Sequence, residues 1–152
     1  VVSAAACLWA TRWGFKMLNP SFVSTIARVD LYLFNNVWWT DAFQYGEPDD
    51  TTWSFTGKSF LLDIKQNSTS TSPLLSLSST NGDIVVDDTV LRILHMEVDD
   101  IRIRASLPVN ELASPELDPY VYDLIMVDDI TGERQMLQYG ELVVYQGVTI
   151  ED

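Results

Sequence analysis

Four adjacent aspartate pairs, Asp49-Asp50, Asp87-Asp88, Asp99-Asp100 and Asp128-Asp129, and one histidine, His95, are the side chains with the type and spacing for chemistry in this 152-residue chain. Paired carboxylates offer hard oxygen ligands to calcium. They also supply the acid and base of glycoside hydrolysis when a cleft sets their separation. Neither pattern is carried through. Neighbours on a strand point to opposite faces, and no pair lies in a D-x-D-x-D-G loop. The stronger expectation is turn chemistry, because an aspartate side chain hydrogen-bonds nearby backbone. His95 lies in the apolar run Val90 to Val98. It is a candidate general base, but no nucleophile can be paired with it, and a core or half-buried histidine is expected. The chain has no G-x-S-x-G and no phosphate-cradling glycine loop, which removes the most recognisable hydrolase and nucleotide sites. No catalytic residue, cofactor or metal is therefore assigned. Asn67-Ser68-Thr69 fits a glycosylation sequon, a pattern short enough to arise by chance.

Binding chemistry is better represented. Trp38, Trp39, Phe43, Tyr45 and Trp53 cluster in the sequence, and Trp and Tyr commonly anchor interfaces. The cluster suits a protein interface or a carbohydrate platform, with core filling as the plain alternative. Adjacent tryptophans on a strand face opposite ways, so one of Trp38 and Trp39 is expected inside and the other on an outer surface. A second aromatic group precedes it. Residues 1 to 24 carry Trp9, Trp13, Phe15 and Phe22 and none of the 22 acidic residues. Helical spacing there is interrupted by Gly14 and Pro20. Residues 1–25 read as an arm that packs on a neighbour or on the domain, or else as a disordered or non-native leader. The interface candidates are thus Trp9, Trp13, Phe15, Trp38, Trp39 and Trp53.

Composition narrows the classes. The length suits one domain, and 47% hydrophobic residues can build a core. Twenty-two acidic against nine basic side chains give a net charge of −13. That charge disfavours nucleic acid and anionic membranes as partners and favours solubility. Cys7 is the only cysteine, which excludes an intrachain disulfide or a cysteine-based zinc site and fits folding in a reducing cytoplasm. No apolar run reaches the roughly 20 residues of a membrane-crossing helix. The chain starts at Val1, with Met17 as an internal start candidate, and Arg12 and Lys16 follow the first apolar stretch instead of preceding it. That order is wrong for a secretory signal.

The elements that would position these residues are strands. Tyr120, Tyr122, Leu124 and Met126 alternate with Val121, Asp123 and Ile125, the period of two of a half-buried strand. The polar turn Asp128 to Glu133 then leads into a second arm closing on Gly147-Val148-Thr149. Upstream, strands are expected over Ile26–Phe34, Val37–Tyr45, Lys58–Lys65 (Phe60, Leu62 and Ile64 on one face), Leu74–Leu77, Ile84–Val86 and Val90–Val98. Gln66 to Pro73 is a polar loop. Asp99-Asp100 is placed to cap one or two helical turns through Ser106. Short strands with turn signals every 8–12 residues predict an all-β, antiparallel sandwich over 26–152.

Several segments together resemble a family of small structural proteins of tailed-bacteriophage virions. They are Trp39-Thr40-Asp41-Ala42-Phe43, Trp53-Ser54-Phe55-Thr56-Gly57, Leu75 to Ile84, Tyr120 to Leu124, and Gly140 to Thr149. Their order over about residues 26–150 is similar to the family's, and Ser114 to Pro119 departs from its Pro-Ala-Gly. The resemblance implies an immunoglobulin-like sandwich, in style like the N-terminal domains of upper baseplate proteins, with Tyr122 four residues after Asp118 as in a tyrosine corner. It also implies a non-enzymatic virion component made in the bacterial cytoplasm: a tail or baseplate adaptor, or an anchor for fibres or spikes, contacting other virion proteins and copies of itself. A capsid decoration protein and a carbohydrate- or receptor-binding module are the alternatives.

Overall fold

The computed structural model describes residues 21–23, 26–109 and 114–148. They form ten strands and one α-helix: β1 Ser21–Val23, β2 Ala27–Arg28, β3 Leu31–Phe34, β4 Ala42–Tyr45, β5 Lys58–Lys65, β6 Leu75–Ser78, β7 Ile84–Asp88, β8 Ile93–Met96, α1 Asp100–Ser106, β9 Tyr120–Asp128 and β10 Arg134–Tyr145. A four-stranded sheet has the order β1-β4-β8-β7. A six-stranded sheet runs β2-β10-β9-β5-β6, with β3 also on β10. The result is the expected all-β sandwich. Phe43, Leu94 and Met96 of the first sheet and Phe60, Leu62, Leu124 and Leu142 of the second are fully buried in one core. Every other residue of β9, from Tyr120 to Met126, faces inward, as its alternation requires.

The aspartate pairs do form turns. Asp50 accepts the Thr52 amide, Asp88 those of Val90 and Leu91, and Asp128 those of Ile130 and Thr131. Asp99 caps α1 by accepting the Arg102 amide at 2.7 Å, and Asp100 in the first turn pairs with Arg104 one turn on.

Three strands differ most from the sequence expectation, beyond shifts of one or two residues in β6 and β7. Ile26–Phe34 is two strands, because Gly140 of β10 comes against the backbone between them. A Cβ on Gly140 would stand 2.4 Å from the Val29 carbonyl oxygen. There the Asp30 carboxylate, instead of a strand carbonyl, accepts the Glu141 amide at 3.0 Å. Only Ala42–Tyr45 of the Val37–Tyr45 stretch is strand, with Trp39 bridged singly to Val98. In Val90–Val98 the strand begins at Ile93, after Arg92 takes a left-handed backbone, φ 57°. The N-terminal strands also pair in parallel, β1 on β4 and β2 and β3 on β10, while the other ladders are antiparallel.

The ladder β9–β10 slips register between Met136 and Gln138. A bulge of this kind places two consecutive residues on the same side, and Leu137 and Gln138 are both buried. Gln138 completes a polar chain across the core. The Tyr45 hydroxyl donates to Gln138 Oε1, Gln138 Nε2 donates to the Tyr122 hydroxyl at 2.9 Å, and that hydroxyl donates to the Val29 carbonyl. Tyr122 therefore ties two parts of the fold together rather than turning back on Asp118. Tyr120 bonds main chain nearer in sequence, at the Pro108 carbonyl twelve residues upstream.

Candidate functional site

The tryptophan pair divides as expected, one ring inside and one outside, although it precedes β4 and only Trp39 joins a ladder, by its single bridge to Val98. Trp39 is 3% exposed, and its Nε1 donates to the Asp41 carboxylate at 3.0 Å. It belongs to the core, so it is withdrawn from the interface candidates. Trp38 is 56% exposed. It stands beside Val37, Tyr32 and Phe34, which share one shallow surface depression with it. Tyr145 extends the patch: its ring lies 5.4 Å from Phe34 and 6.4 Å from Tyr32 between centroids, in both cases stacked. β3 places Tyr32 and Phe34 outward by alternating them with buried Leu31 and Leu33. On its other side no described strand pairs with β3. The outcome is an aromatic patch next to a sheet edge. Such edges and patches are what proteins use for association.

Trp53 has a structural role. It is half-buried, packs edge-on against Phe55 at 5.9 Å, and lies under the Arg92 guanidinium, 5.1 Å from the ring centroid. Arg92 is wholly buried. Its side chain donates to the carbonyls of Tyr45, Glu47, Asp50, Trp53 and Val90, at 2.5–3.0 Å. The guanidinium thus fixes the loop between β4 and β5 through its backbone. Trp53 is part of this clamp.

His95 is buried, as expected of it, and both ring nitrogens are taken: Nδ1 by Asp87 at 2.6 Å and Nε2 by Glu97 at 3.0 Å. Burial pulls its pKa down, but the hydrogen bonds and charges of Glu97 and Asp87 outweigh that and leave it raised. With both nitrogens engaged, the ring has none left to take a proton from a third group. Among the described residues no set of three or more His, Cys, Asp or Glu side chains converges to hold a metal ion.

A second surface was not found from the sequence. Across the outer face of the six-stranded sheet, Arg28, Tyr139, Asp123, Asp63 and Ser76 stand directly opposite one another on β2, β10, β9, β5 and β6. Arg28, Tyr139, Asp123 and Asp63 border a groove of about 510 Å³, which Lys65 and Glu141 also line. In the sequence these residues are only the outward members of alternating strands. Their register depends on the β10 bulge, which no local pattern announces.

Trp9, Trp13 and Phe15 lie outside the described residues. No protein-family model and no curated protein matches the chain. The class that the fold of the described residues defines is the all-β sandwich.

Proposed function

We propose that the protein is a non-enzymatic structural component of a tailed-phage virion, acting through protein–protein contacts as an adaptor or anchor in the tail or baseplate. The observation that carries this reading is the aromatic patch of Tyr32, Phe34, Val37, Trp38 and Tyr145 beside the β3 edge. Aromatic residues collected on an exposed surface are the composition of interface centres, where a few large rings supply most of the binding energy. The resemblance of residues 26–150 to small virion proteins supplies the setting. Partners are other virion subunits and copies of this chain. The net charge of −13 suits a place away from packaged DNA, and for that reason decoration of the outer capsid is the second reading.

Purified particles test it. The chain is expected among their proteins, and Trp38→Asp is expected to remove it while the isolated variant stays folded. Copy number then separates the readings: a few to a few dozen per particle places it in the tail, and hundreds place it on the shell. A monomer that never co-purifies with particles overturns both.

A further inference from the structure

The row Arg28–Tyr139–Asp123–Asp63–Ser76 contains an arrangement that folding alone does not favour. Asp63 and Asp123 are direct cross-strand partners in the interior of the sheet, where like charges repel and destabilise the ladder. Asp63 is relieved by the Ser76 hydroxyl, which donates to it at 2.6 Å. Asp123 is half-buried, and among the described residues no hydrogen-bond donor reaches its carboxylate. Burial and then the facing Asp63 raise its pKa, with Lys65 offsetting part of the rise. On the other side of Asp123 stands Tyr139, 43% exposed, with its ring on the groove. Adjacent positions one ladder step away, Leu61, Ile125 and Met136, give the face an apolar band beside the polar row.

The charges of the groove identify what it can take. Arg28 and Lys65 contribute two positive charges and Asp63, Asp123 and Glu141 three negative ones, so the lining carries −1 within a molecule of −13. A phosphate would face three carboxylates, and a free cation would face Arg28 and Lys65. A polyhydroxylated neutral molecule has donors for the carboxylates, acceptors for the two cations and a C–H face for the aromatic ring. Binding sites of small molecules commonly combine an apolar wall with a few such polar groups.

We propose that this groove binds a neutral saccharide chain, with Asp63 and Asp123 accepting its hydroxyl groups, Tyr139 stacking on a ring face, and Arg28 and Lys65 donating from the rim. The ligand supplies the donor that Asp123 lacks. No residue of the row belongs to the aromatic patch at β3, so this site and the adaptor reading stand or fall separately.

The test is an amide NMR titration of the isotope-labelled full chain with cellohexaose, maltohexaose and chitohexaose, each in turn. At least one is expected to shift amides of β5, β9 and β10 around the row, with a dissociation constant of about 0.1–1 mM. Tyr139→Ala and Asp63→Asn are each expected to weaken that binding about tenfold or more. Asp123→Asn removes the repulsion without a ligand present, and its melting temperature is expected to rise above that of the parent. Absence of shifts at the row with all three sugars overturns the proposal. So do shifts at the row with magnesium or spermidine alone, which would give the carboxylate pair to a cation. A fall in the melting temperature of Asp123→Asn also overturns it, since the carboxylate would then be serving the fold.

Discussion

Trp38 and Trp39 are neighbours with opposite surroundings, and substitutions at the two should separate function from folding. Trp39→Ala opens a cavity in the core and removes the hydrogen bond to Asp41, so a loss of about 3–5 kcal/mol is expected in denaturant unfolding. Trp38→Asp sits on an exposed surface and should change stability by about 0.5 kcal/mol or less, while abolishing particle association. His95 gives a pH signature. Its folded pKa is raised above the ordinary 6.5, so its stabilising contribution is complete below that value and is lost as pH rises through the folded one. His95→Asn is therefore expected to lower the melting temperature more at about pH 5.5 than at about pH 9. Equal deficits at both would show that the charged form adds nothing.

At the scale of elements, the bulge in β10 decides both faces of its sheet. It turns Gln138 inward to Tyr45 and Tyr122 and leaves Tyr139 outward beside Asp123. Gln138→Leu strips the buried Tyr45 hydroxyl of its acceptor and is expected to cost about 1–3 kcal/mol. Adding Tyr45→Phe should recover part of that loss in a double-mutant cycle. Much of this layer could be read from the chain. The alternation in β5 and β9, the aspartate turns and the Asp99 cap are local, and each rests on a period of two or on a side chain reaching a nearby amide. The Trp38–Trp39 division was legible as a rule without saying which ring was outside. The break at Val29-Asp30, the bulge and the position of Arg92 were hidden because each is set by a segment distant in sequence. Gly140 forces the first, the β9–β10 register expresses the second, and five scattered carbonyls hold the third.

For the whole molecule, charge is the dominant collective property. Thirteen net negative charges repel one another in the folded state, and salt at about 0.15 M already shortens their reach to about 8 Å. The melting temperature is accordingly expected to rise between about 0.02 M and about 0.5 M sodium chloride, by scanning calorimetry. A fall would mean that ion pairs such as Lys58–Asp128 and Arg102–Asp83 outweigh the collective repulsion. Acidity also bears on the proposed assembly: a second copy would have to approach against this field, so self-association through the β3 edge, where it occurs, should strengthen in the same salt series, read by sedimentation.

Arg92 has one more implication, for how the chain can vary. Its guanidinium grips main-chain oxygens of Glu47, Asp50 and Trp53, groups that every amino acid carries. The loop from 46 to 54 can therefore exchange most of its side chains and still be held in the same path. Diversity can accumulate on its rim at little cost to folding, provided the one arginine beneath it is kept.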